Sequence, residues 1–149
     1  VALVLQALTD NKNRSVSSLR HILNKNEGAL AGQNSVLWKF AQKGVLRLEG
    51  WQDKIKDREV LELKLIDSGA EEILTEDGAL IIYTAPTNLQ KIKVMLEGSG
   101  LSSDYAEIEY IAKQKNKIND PGIKIKLEKL FNDLDADQDI NNYYADAEI

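Results

Sequence analysis

The 149-residue sequence predicts an α+β fold: two small split-βαβ (ferredoxin-like) sandwiches, the second inserted into the first. Three observations carry this. Short apolar runs of strand length alternate with segments whose apolar residues recur at helical spacing. These signals run in the order β-α-β-β, then α-β-β-α-β, then α-β. Charge marks the nesting: residues 1–53 hold seven Lys/Arg against four Asp/Glu, whereas 57–102 hold four against nine. The expected division is a discontinuous domain of 1–53 and 103–149, with an inserted acidic domain at 54–102.

Val1–Leu8 is short, continuous and apolar, as a buried strand is. It stops at Thr9-Asp10-Asn11, residues whose side chains bond nearby backbone. A helix is predicted from about Arg14–Ser15, capped by Asn13 or Ser15, with Val16, Leu19 and Leu23 as its buried stripe. Asn24 to Asn34 is a loop containing Gly28 and Gly32. Val36–Phe40 and Val45–Glu49 flank Ala41-Gln42-Lys43-Gly44, which predicts a hairpin. Gly50 to Lys56 is a linker.

The second group opens with Asp57 as the cap of a helix that ends at Gly69. Glu76-Asp77-Gly78 between two apolar runs predicts a hairpin, because Asp-Gly suits the tight turn. Pro86 opens the next helix, which Gly98 and Gly100 end. Tyr105–Lys117 is expected as one long strand, with Lys113, Lys115 and Lys117 on one face. Asp120-Pro121 starts a helix with Ile123, Leu127, Leu130, Phe131 and Leu134 on its apolar side. A short strand over 139–145 closes the chain.

Composition excludes several classes. There is no cysteine, so disulfides and thiolate metal sites are ruled out. No apolar run approaches the ~20 residues that span a bilayer. No signal peptide is expected, and the start without Met, in mid-pattern, suggests a piece of something longer. Asp133, Asp135, Asp137 and Asp139 have calcium-loop spacing, but neither register supplies the required Gly and Glu. Gly28-x-x-x-Gly32 lacks the Gly-Lys-Ser/Thr of a phosphate loop, and the single histidine has no serine elbow to serve. No catalytic centre, metal or cofactor is expected.

The net charge of −5 disfavours polyanions, but its distribution does not. Arg14, Ser18, His21 and Lys25 fall on one side of the first helix, opposite Val16, Leu19 and Leu23. That ridge is either a phosphate-contacting surface or an ordinary solvated face. Asp10 and Asn11 are read as the turn and cap of the junction. The Lys113–Lys117 row either follows a phosphate backbone or guards a sheet edge. No aromatic residue interleaves with it in sequence, so base stacking is unsupported there. Trp38, Phe40 and Trp51 are either stacking faces for bases or core; Trp38 and Phe40, two apart on an expected strand, share one side, which favours core for that pair.

The blocks LTDNKNR, HILNKNEG, SVLWKF and QKGVL, followed by SGAEEI and AEIEYIAK, resemble the YebC family. This family includes bacterial YebC-type regulators and the mitochondrial translational activator of cytochrome c oxidase. The resemblance covers essentially the whole chain. The family's Thr-Asp-Asn-x-x-Arg motif matches Thr9, Asp10, Asn11 and Arg14. Its glycine loop and following strand match Gly28, Ser35, Val36, Trp38 and Phe40. The chain departs from the family at Glu27, Ala31 and Asn34, where glycine is usual. The resemblance implies a further N-terminal helical domain, lacking here, and a third domain inserted in the second. It also implies a non-enzymatic translation regulator that associates with the ribosome or its rRNA or mRNA. A DNA-binding transcriptional regulator and a protein-interaction module are the alternatives. No membrane, small-molecule substrate or oligomer is expected, and HILNKN points to the mitochondrial matrix rather than the bacterial cytoplasm.

Overall fold

The computed structural model describes residues 1–32 and 34–149. The fold is α+β. The chain divides into two compact units, an outer one of Val1–Ala41 with Ile111–Ile149 and a middle one of Gln42–Tyr110.

The middle unit is a complete split βαβ. Its elements run β2 (Phe40–Glu49), the short helix α2 (Trp51–Lys54), α3 (Arg58–Asp67), β3 (Ala70–Glu76), β4 (Ala79–Thr84), α4 (Leu89–Gly98) and β5 (Tyr105–Ala112). The sheet order is β3-β4-β2-β5. Asp57 caps α3 by accepting the Val60 N–H, and Gly69 (φ 106°) ends it. Asp77 and Gly78, both at positive φ, make the tight turn between β3 and β4. Leu46, Leu48, Leu80 and Ile82 of the sheet bury against Leu61, Leu65, Ile92 and Leu96 of the helices. The insert is therefore wider than 54–102. A βαββαβ unit needs four strands, and it takes two of them, β2 and β5, from the segments that enter and leave it.

Two stretches between residues 36 and 56 differ from expectation. Residues 36–49 are not a hairpin: a 3₁₀ turn (Leu37–Lys39) leads into one continuous β2. Gly44 is the cause of the misreading. It is buried within the strand, where an added Cβ would lie 2.9 Å from Thr84 Cγ2 and 3.0 Å from Leu89 Cβ. The glycine permits close approach and makes no turn. Likewise Trp51 is not in a bare linker. It starts α2 and packs against the core, with the Arg58 guanidinium 4.9 Å from its ring.

The outer unit contains β1 (Leu3–Ala7), α1 (Lys12–Lys25), β6 (Asn116–Lys117), α5 (Pro121–Asp135), β7 (Ile140–Ala145) and β8 (Ala147–Glu148). β1 pairs antiparallel with β7, and β6 pairs parallel with β8. Leu19 and Leu23 of α1 meet Leu130 and Leu134 of α5, while Phe131 stacks on Tyr143 at 5.1 Å. Val16 is only half-buried and Ser15 takes the inner position. The helix begins earlier than expected because Asn11 is the cap; its Oδ1 accepts the Arg14 N–H.

Candidate nucleic-acid interface

The junction before α1 is built by its own side chains. Thr9 Oγ1 accepts the Asn11 N–H at 3.1 Å, and Asn11 caps the helix. Asp10 lies 3.2 Å from Arg14. The turn-and-cap reading of Asp10 and Asn11 describes this geometry.

The ridge behind the junction faces carboxylates of the same chain. Helix α1 runs antiparallel to the end of α5 and the turn after it. Arg14 Nη2 meets Asp139 at 3.1 Å, and Ser15 Oγ donates to the same carboxylate at 2.6 Å. Ser18 Oγ donates to Asp137 at 2.6 Å. Asn26 Nδ2 donates to Asp133 at 2.9 Å, and Lys25 Nζ stands 3.7 Å from it. At the far end Glu27 accepts from Lys126 at 2.6 Å. The Ser15 hydroxyl first, and then Arg14, holds the Asp139 carboxyl below its usual range. Asn26 and then Lys25 do the same for Asp133. Asp139 in return raises Arg14. Arg14, Ser18 and Lys25 thus form an interhelical seam with little uncompensated charge. Of the four ridge residues, His21 alone stands exposed without a hydrogen bond or ion pair among the described residues.

Positive charge without a carboxylate partner lies elsewhere on the outer unit. The expected long strand breaks after Ala112; residues 113–115 bend away, and β6 resumes at Asn116. Lys113, Lys115 and Lys117 therefore do not form one strand row. All three are exposed, and none has a carboxylate within 4.0 Å among the described residues. The Lys113 N–H donates to the Lys39 carbonyl at 2.9 Å, which brings the 3₁₀ turn alongside. Trp38 on that turn is 65% exposed, whereas Phe40 is 5% exposed. A 3₁₀ turn does not alternate like a strand, so the pair is split between solvent and core. Trp38 Nε1 donates to the Ser35 carbonyl at 3.0 Å, and Lys39 Nζ lies 5.6 Å from the ring centroid. Ser35 itself bonds the Gly32 carbonyl. Gly28 closes α1 through its N–H to the Leu23 carbonyl at 2.7 Å.

Trp38 and Lys39 are what the sequence reading missed as surface. The signal was present in the Trp-Lys pair, but its neighbour Lys113 is far away along the chain. By unit, the outer one holds eleven Lys/Arg against ten Asp/Glu, a net +1, and the middle one eight against fourteen, a net −6. Among the described residues no group of three or more His, Cys, Asp or Glu is placed to hold a metal, and no helix is long and apolar enough to cross a membrane.

Comparison with known proteins gives a consistent result. A family described as the TACO1/YebC second and third domain matches residues 1–147. A Thermotoga maritima protein is 40% identical over the whole chain, and one from Kosmotoga olearia is 38% identical. Both are named as probable transcriptional regulatory proteins. The chain spans 57% and 58% of their lengths, respectively. The crystal structure of a conserved hypothetical protein from Aquifex aeolicus superposes with a TM-score of 0.84 at 33% identity. That match covers 99% of this chain and 59% of the other. Across its matched length, its relatives and its solved counterpart, the chain belongs to the TACO1/YebC family.

Proposed function

We propose that this chain is the RNA-contacting part of a non-enzymatic translation regulator that associates with the ribosome or its RNA. One observation carries the reading: an exposed tryptophan beside lysines that lack carboxylate partners among the described residues. Aromatic faces with flanking cations suit unpaired bases, since stacking holds the base and the lysines meet its phosphates. In this reading Trp38, Lys39, Lys113, Lys115 and Lys117 make the surface, with His21 as a further donor. Arg14, Ser18 and Lys25 hold the two helices that support it.

The runner-up is a duplex-DNA-binding transcriptional regulator, which the relatives' names favour. Reading a duplex groove calls for a helix with free side chains along one face. Two of the four Lys/Arg of α1, Arg14 and Lys25, are instead engaged by Asp139 and Asp133, which breaks up any continuous cationic face on that helix. The relatives compared are bacterial, which favours a bacterial cytoplasmic setting over the mitochondrial matrix.

The test compares single-stranded RNA with duplex DNA of equal length by fluorescence anisotropy. Single-stranded RNA is expected to bind more tightly. Trp38→Ala should weaken it about 5- to 100-fold, the loss of one stacked base. Equal binding of duplex DNA with no effect of Trp38→Ala would overturn the reading.

A further inference from the structure

The sheet of the middle unit is covered by helices on one face only. Leu46, Leu48, Leu80 and Ile82 point into that covered core. The register of β2 with β4 therefore places Val45, Arg47, Ile81 and Tyr83 on the opposite face. The register of β4 with β3 adds Glu72, Leu74 and Glu76. Tyr105 and Glu109 of β5 line the same hollow, which holds about 400 Å³.

This face has an apolar floor and an acidic margin. Val45 and Ile81 are buried at its centre, while Leu74 and Tyr105 are more than a third exposed. Glu72, Glu76, Glu109 and, by strand alternation, Glu107 surround the floor. The cations nearby are committed: Arg47 to Glu49 at 2.7 Å, and Lys43 to Glu71. Among the described residues none of the four marginal glutamates has a cation within 4.0 Å. Burial first, and the Glu107 charge second, push Glu109 above the usual carboxylate range. Burial and then Glu109, Glu76 and Glu72 raise Tyr83, so three of these carboxylates act on one ring.

We infer that this open sheet face docks a lysine- or arginine-rich polypeptide segment of a partner protein. The aliphatic stems lie over the Tyr83–Tyr105 floor and the cationic ends meet the glutamates. A cationic side chain is amphipathic in the required way, with an apolar stem and a charged tip. Tyrosine faces add attraction for the charge. The four glutamates repel nucleic acid and anionic lipid, and complementary potential selects the partner. This inference uses a different unit from the RNA reading and does not rest on it.

The test uses the whole 149-residue chain and two labelled peptides, one alternating arginine with valine and one alternating glutamate with valine. The arginine peptide should bind at low salt, weaken as salt rises, and outcompete its glutamate counterpart. Combined Glu72→Gln, Glu76→Gln and Glu109→Gln should weaken binding about tenfold or more, with an unchanged melting midpoint as the check on folding. Leu74→Arg, on an exposed edge position, should weaken it independently. Trp38→Ala should leave peptide binding unchanged, so the two readings fail separately. Absent binding at low salt, equal binding of both peptides, or binding that survives both variants overturns the inference. So does oligouridine competing for the face with an affinity that Leu74→Arg strengthens, since the occupant would then be RNA.

Discussion

Asp146 ties together strands that sequence alone leaves separate. It is 3% exposed. Its Oδ1 accepts the Ala2 N–H at 2.8 Å and its Oδ2 accepts Asn116 Nδ2 at 3.2 Å. Its own N–H donates to the Ala2 carbonyl, and its carbonyl accepts the Asn116 N–H at 2.7 Å. In sequence it is one of a run of acidic residues and carries no sign of burial. Its partners, 144 and 30 residues away, are visible only in the fold. Asp146→Ala leaves a buried backbone donor unpaired and should cost about 2–3 kcal/mol in chemical denaturation. Asp146→Asn keeps an acceptor and should cost less. Glu27 is the opposite case, because its departure from glycine was legible. It sits at φ 62° at the end of α1, where Gly28 N–H and Glu27 N–H close the helix onto the Leu23 and Asn24 carbonyls. Only the backbone shape asks for glycine there. Glu27→Gly gives up the exposed Lys126 pair and relieves the left-handed strain, so the melting midpoint should rise by about 2–4 °C.

Among the elements, the locally coded ones were readable. Asp57, Asp120 and the Asp77-Gly78 turn act on backbone within three residues of themselves, and each stands where the sequence put it. The failures are places where a distant element decides. Gly44 signals a turn only until β4 and α4 press against it. The ridge of α1 is open to two readings in the sequence, and aspartates at the end of α5 and just beyond it reach three of its four residues in the fold. That seam makes a pH prediction. Asp139 and Asp133 have lowered folded-state pKa values, set first by Ser15 and Asn26 respectively. Their stabilisation is fully present above the ordinary carboxylate value of about 3.9 and is lost as pH falls through the lowered values. The melting midpoint should therefore hold from neutral pH to about 5 and fall steeply below about 4. Asp139→Asn should lower the midpoint at neutral pH and flatten the acid limb. An unchanged acid limb would show that the seam does not govern acid unfolding.

At the scale of the molecule, charge is partitioned by unit: net +1 outside and −6 within the insert. The total of −5 hides this, which is why composition alone disfavours a polyanion. The acidity of the middle segment and the close spacing of Lys113, Lys115 and Lys117 can be read from the sequence, but not the break in the strand that carries them. The sequence could not bring the Trp38-Lys39 turn alongside Lys113, because one backbone hydrogen bond, from Lys113 to Lys39, does so across the chain. If phosphates are met by these lysines, binding must release counterions in proportion to the number engaged. Each contact to a single strand contributes about 0.7 to the slope of log affinity against log salt. Combined Lys113→Gln, Lys115→Gln and Lys117→Gln should therefore flatten that slope by about 2 for single-stranded RNA. Trp38→Ala should lower affinity with little change in slope, because stacking releases no counterions. A slope unchanged in the triple variant would place the phosphate contacts on other cations and remove these lysines from the surface.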